Sequence, residues 1–488
     1  MLEYKELTVV LDEDSFQEPS DFSENSYLGG KPKMPENIIW PRDSDNRPLT
    51  FIAQVDLAEV FEKIRNSNFK LPIGSPSSGM LYLFVDTTSE NLWEEGTSPV
   101  KVIYSECSEY FVEHEFPEDL RSQFEPYSLM SITLSDFNSA NVRPPGRYIV
   151  GLPKLPISIR AVNIEQVESD SFDSEVSGRT LLRNNLKEKF QNTYYPQMGW
   201  TFISDITPLD YRRNKGDWFI PDSYPWFWLC IERTAQYIYT KIVVNSLKVE
   251  KDRSRGNNVA DYDFGIYKYW ADVPNEALGW IEKAKGKDFF DLVESDVIEE
   301  FQKWIRSLTT RLRGDIYSLK PKSEWSIRHK LFPYLKYDAD RGYFDKTIMK
   351  ILSGTKIEWY LNMRGSTALI GGIKVNEWLT TSFRSIWPYL REQQHKDSIP
   401  EDVANIMDYC FWMSPYNERR ERFQMFGEAI EVQDLGDIPS ENIMLFQIPS
   451  SDAFNLMIGD LGVLQIWISP ADLAKGNFDN VTYTADCH

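Results

Sequence analysis

LGGKPKMPENIIWPRDSDNRPLTFIAQVDL, residues 28–57, carries the pattern on which the fold turns. Its first half, 28–41, sets two glycines and three prolines around an isolated tryptophan. Proline fixes φ and removes a backbone donor, so neither a helix nor a central strand runs through it. Gly29 and Gly30 permit a tight turn with positive φ, and Pro32 and Pro35 hold the chain extended. Ile38, Ile39 and Trp40 are too apolar to lie idle on a surface. The segment therefore reads as a strap across the fold, anchored by Trp40, with Pro41 preventing its pairing as a free sheet edge. After the turn cluster RDSDNRPL, Phe51, Ala53 and Val55 alternate with Ile52, Gln54 and Asp56. That alternation is a short strand, passing into an amphipathic helical turn.

Outward from this stretch, MLYLFVD (80–86) and VKVIYSE (100–106) read as further strands, and ELTVVL, SLMSITLSD and RYIVGLP as weaker ones. The far end of the chain repeats the series. FIAQVDL, GMLYLFVD and VKVIYSE have echoes in MLFQIPS (444–450), GVLQIWIS (462–469) and VTYTADC (481–487). A strand with a central glutamine, a glycine-led apolar strand and a β-branched strand with a tyrosine recur in one order. Such order suggests a duplicated β element whose copies share a core. Ser469-Pro470-Ala471-Asp472 has the cap, proline and acid of a helix start, and Gly476 stops it.

Between the two ends the period changes. PWFWLCIERTAQYIYTKIVVNSL is apolar at helical spacing, with Pro225 at its first position, and KVEKDRSRGNN follows as a charged linker. FFDLVESDVIEEFQKWIRSLTTRLRG is the clearest helix. Val293, Val297, Phe301, Trp304, Ile305, Leu308 and Leu312 recur at three and four residues, and Gly314 marks its end. The expected fold is α+β: a β-rich core with an internal duplication, interrupted by a largely α-helical block. The boundaries are 1–223, 224–423 and 424–488.

The ordered series GGKP, WP, AQxDL, GxLxxFxD, GDxG and DLxxxxF resembles the signature of the YwqG-like domains, a bacterial family of unknown function. The resemblance covers roughly 25–110 and 423 to the end, and the long middle is similar to that of the longer members. Ile458 stands where an aromatic often precedes the Gly459-Asp460 pair. What the resemblance implies about function is an association with toxin loci, hence an immunity-type inhibitor.

Composition narrows the classes. Aromatic residues make up 14% of the chain, enough to fill sizeable cores. No apolar run approaches the roughly 20 residues that span a bilayer. The start lacks a signal peptide's basic and apolar regions, so the chain is expected to stay in the cytoplasm. Its cysteines, Cys107, Cys230, Cys410 and Cys487, form no CxxC pair, and its four histidines stand apart, so neither a metal nor another cofactor is expected. The formal net charge of −21 repels nucleic acid and anionic membranes and attracts basic partners.

Candidate binding residues are Lys31, Trp40 and Gln54 under the strap, Asp56, Asp86, Asp452 and Asp460 at strand ends, and Trp467 in the second strand series. Paired carboxylates there could hold a cation or serve acid–base chemistry, although aspartate is also the standard turn and cap residue. GxSxG, HExxH, Walker and Rossmann patterns are missing from the sequence, and no catalytic residue is assigned. The leading expectation is a non-enzymatic acidic binding protein whose partner is a basic protein such as a toxin. The alternative is a small-ligand receptor or enzyme with a carboxylate-lined site between the β units.

Overall fold

The structure is a computed structural model that describes residues 7–12, 22–65, 71–87, 92, 99–106, 111–122, 145–163, 223–254, 272–319, 337–338, 343–344, 382, 385–392, 395, 397–401, 404, 423–429, 432, 441–451, 454–459 and 462–487. The expected strand SLMSITLSD, residues 128–136, lies outside them. In chain order the strands are β1 (Leu7–Asp12), β2 (Tyr27–Leu28), β3 (Lys33–Pro35), β4 (Thr50–Asp56), β5 (Met80–Val85), β6 (Val100–Ser105), β7 (Phe111–Glu113), β8 (Leu155–Pro156) and β9 (Ser158–Asn163). Beyond them come β10 (Tyr337–Asp338), β11 (Tyr343–Phe344), β12 (Gln424–Met425), β13 (Ile443–Pro449), β14 (Val463–Ile468) and β15 (Thr482–Asp486). The helices are α1 (Leu57–Ile64), α2 (Trp228–Ser254), α3 (Asp272–Ala284), α4 (Ser295–Leu319) and α5 (Pro470–Ala474).

Two sheets carry the β part. One runs β6-β5-β4-β2-β8 and the other β15-β14-β13-β12-β1-β9. Each is built around a glutamine. Gln54 lies opposite Tyr27 on one side and Tyr82 on the other. Gln447 lies opposite Gln424 and Gln465 in the same way. Both ladders slip register around the second residue before that glutamine, between Phe51 and Ala53 and between Met444 and Phe446. Two left-handed residues follow each short strand: Gly29 and Gly30 at φ 60° and 66°, Phe426 and Gly427 at φ 60° and 78°. The Tyr27 hydroxyl donates to the Lys31 carbonyl at 2.8 Å, and the Gln424 amide donates to the Glu428 carbonyl at 2.9 Å. Bulge, turn and clamp thus recur at matching positions. The repeated strand series is a structural duplication.

The two units share one core. Val55, Leu81, Leu83 and Val102 of the first sheet are buried in a cluster with Met425, Ile448, Leu464 and Ile466 of the second, together with Val60 and Ile64 of α1. The opposite face of the first sheet buries Phe51, Met80, Tyr82 and Phe84 against Met34, Trp40 and Leu49. With both faces covered, β5 is apolar and buried along its length, so its sequence does not alternate with polar residues. Asp56 caps α1, accepting from the Ala58 amide. The Ser469 side chain caps α5 with Pro470 at its first position, and Gly476 follows at φ 65°, as its sequence specifies.

The helical part follows the apolar stripe. Trp228, Ile231, Ala235, Ile238 and Ile242 of α2 are buried, as are Ala277, Trp280 and Ile281 of α3 and Phe301, Trp304, Ile305 and Leu308 of α4. Several details differ from the sequence reading, among them Ile39, which is 86% exposed although its segment was expected to bury it. Pro225 precedes the helix, in a cis peptide bond with Tyr224, and α2 starts at Trp228. The charged KVEKDRS continues α2 to Ser254, since Lys, Glu and Arg are good helix formers, and α4 continues through Gly314 to Leu319. RYIVGLP is not a strand; the strands β8 and β9 follow it. Among the described residues no helix is long and apolar enough to cross a membrane.

The His395 ring lies flat on Phe290, with centroids 3.6 Å apart and planes within 5°. Burial pushes its pKa below the ordinary 6.5, against the opposing charge of Asp288. The unfolded chain therefore binds the proton more readily than the folded one. The stabilisation from this group is whole above about pH 6.5 and is lost as pH falls toward the folded value. Thermal unfolding of the wild type and of His395→Phe, at about pH 7.5 and about pH 5.5, checks this. The wild type is expected to lose ground relative to the variant on acidification, and a constant difference in Tm would contradict it.

Candidate functional site

The strap is held to the first sheet by side chains that point at its backbone. At Gly29 the chain turns into it, and the Gly29 amide donates to the Ile52 carbonyl at 2.8 Å. A Cβ at Gly29 would stand 2.2 Å from the Pro153 carbonyl oxygen, so glycine is required for space as well as for φ. Past the turn, β3 pairs with β7 and lies over the centre of the sheet. Gln54, 2% exposed, reaches it with both ends of its amide. Its Oε1 accepts from the Lys33 amide at 2.9 Å and its Nε2 donates to the Asn25 carbonyl at 2.7 Å. The hydroxyl of Tyr82, the neighbour of Gln54 across the ladder, donates to the Lys33 carbonyl at 2.8 Å. Burial pushes the Tyr27 phenol well above its usual pKa, so it remains a donor.

Trp40 fastens the other end. Its Nε1 donates to the Leu49 carbonyl at 2.8 Å, and its ring meets Phe84 and Phe116 edge-on at 5.3 and 6.0 Å. The hairpin beyond is closed by Asp43, which accepts from the Arg47 amide and side chain, and by a two-bond pair between Arg42 and Asp119. The hydrogen bonds from Arg42 hold the Asp119 carboxyl below the usual carboxylate range.

Lys31, Trp40 and Gln54 are thus brought to one strap. Lys31 is half-buried on its rim and pairs with Glu115 at 2.6 Å. Asp56 ends β4 as a helix cap, with Asn25 donating to it at 3.2 Å. Asp86 is buried at the end of β5, 3.9 Å from the Arg47 guanidinium. Trp467 belongs to the other sheet. Its Nε1 donates to Thr484 at 3.0 Å, whose hydroxyl donates to Gln465 at 2.9 Å. Asp452 and Asp460 lie outside the described residues.

Sequence reasoning missed Tyr27 and Tyr82, whose signal is a polar-tipped aromatic in register with a buried glutamine. It also missed the Arg147–Glu232 pair and the groove between α3 and α4. Chemically, the strap offers hydrogen bonds already made between chain and chain. Burial pushes the Cys230 thiol up to about 12, which removes it as a thiolate nucleophile near neutral pH. Among the described residues, no three His, Cys, Asp or Glu side chains are grouped so as to hold a metal ion.

Comparison with protein families places most of the chain in a known family. A family model described as "Domain of unknown function (DUF1963)" matches residues 26–218 and 361–487, well over half of the chain. Helices α2, α3 and α4 fall in the stretch between the matched segments. No curated protein matches the chain.

Proposed function

The chain belongs to the DUF1963 family, and on that premise we propose that it is a non-enzymatic, cytoplasmic binding protein. Its partner is a basic protein, of the kind an immunity protein neutralises when it covers a bacterial toxin. The observation that carries this reading is the formal net charge of −21. A field of that sign raises the encounter rate with a basic protein and disfavours nucleic acid. The engagement of Gln54 and Trp40 within the strap supports a rigid scaffold more than a reactive centre. Lys31 and Asp56, half-buried at the ends of this region, are the strap residues a partner would meet first. The block 224–423 is, on this reading, an insertion that widens the surface offered to the partner.

The test is co-expression with the products of neighbouring reading frames. One of them is expected to be toxic alone, to be silenced by this chain and to co-purify with it, associating more slowly as salt rises. If none is toxic and none co-purifies, the reading fails.

A further inference from the structure

We propose that the groove between α3 and α4 seats an arginine or lysine side chain of the protein partner, an inference that rests on the binding reading above. The groove is open to solvent and has a volume of about 530 Å³. Its floor is the pair Trp280 and Trp304, with ring centroids 5.9 Å apart and planes at 40°. Glu276 accepts from the Trp304 Nε1 at 2.9 Å, which fixes that indole. Gly279 leaves one wall bare, because a Cβ built there would meet nothing within 4 Å.

The groove already holds a cation of its own. The Lys283 ammonium lies 4.8 Å from the centroid of Trp280 and 2.6 Å from a Glu300 carboxylate oxygen. An indole face below and a carboxylate beside it are the two features that recognise a cationic side chain. Lys283 competes with a guest for that indole face and carboxylate, and since it and Glu300 retain 39% and 64% of their side-chain surface, their ion pair itself contributes little. Arginine is the better guest, because its planar guanidinium stacks on an indole and meets a carboxylate with two parallel donors. Lys303 on the same rim keeps the groove close to neutral. Selection therefore comes from the aromatic face and Glu300, while the charge of the whole chain delivers the partner.

The probe is a short arginine-containing peptide, blocked at both ends and titrated calorimetrically into the full chain near physiological ionic strength, where diffuse attraction is screened beyond about 8 Å. Lys283→Ala, which uncovers Trp280 and frees Glu300, is expected to tighten binding about fivefold. Gly279→Leu, which fills the groove and suits a helix better than glycine, is expected to weaken it by at least about as much. Thermal melts confirm that both variants fold. Equal affinity for wild type, Lys283→Ala and Gly279→Leu would overturn the groove. So would no binding to any of them. In either case a co-purifying basic partner whose association is unaffected by Gly279→Leu would leave the binding reading standing, whereas the absence of any such partner ends both.

Discussion

Trp40→Ala is expected to lower the unfolding free energy by about 3–5 kcal/mol, the usual cost of truncating a buried tryptophan. Trp40 keeps 9% of its surface exposed and stacks edge-on against Phe84 and Phe116. Alanine would leave a cavity that the proline-stiffened strap cannot collapse into, because Pro35 and Pro41 fix φ on either side. The Leu49 carbonyl would also lose the indole donor. Trp40→Phe keeps part of the ring contact and loses the hydrogen bond, so its cost should fall well below that of alanine. Chemical denaturation reads both. An unchanged midpoint for Trp40→Ala would show that the strap does not depend on this ring.

Glu232→Gln is the second large effect, expected at about 2–4 kcal/mol. Breaking a buried ion pair leaves an uncompensated charge. Glu232 is 1% exposed on its side chain and accepts from the Arg147 amide at 2.6 Å and from its guanidinium at 2.7 and 3.1 Å. The same guanidinium donates to the carbonyls of Lys287 and Ala284 and covers the ring of Phe289. One pair therefore ties three segments together: the loop at 147, α2, and the end of α3 with its following turn. Arg147 keeps 31% of its side-chain surface in water, which places the cost below that of a fully buried pair. The denaturation midpoint is the readout. A loss under about 0.5 kcal/mol, typical of surface substitutions, would show that the pair does not join the segments.

Local signals carried most of the fold. β4, β5 and β13 to β15 were readable because short apolar or β-branched runs of strand length stand between turn residues, and α5 because Ser469, Pro470 and Gly476 mark both ends. The duplication was readable because its units repeat in order. β9 was not: SIRAVN is short and mixed, and becomes a strand only by pairing with β1, whose residues come some 150 positions earlier. RYIVGLP has a strand's composition, yet Arg147 at its head is drawn to Glu232 on a helix distant in sequence. A glutamine inside an apolar strand marked Gln54 as unusual. Its partners at 25 and 33 depend on how the strap crosses the sheet, which no local pattern encodes. The groove between α3 and α4 was hidden for the same reason: the stripe predicted burial for Trp304, and only the packing of two helices sets it beside Trp280.

The central claim is that the acidic charge brings a basic protein partner to this chain. Its most direct measurement is the association rate with the co-purified partner over a range of ionic strength. Steering acts over a Debye length of about 8 Å near physiological salt, so association should slow steeply as salt rises. Dissociation, set by buried contacts, should change far less. Replacing the acids of EQVESDSFDSE (residues 165–175) by Asn and Gln should flatten that dependence while leaving the melting temperature in place. An association rate indifferent to salt in the wild-type chain would contradict the claim.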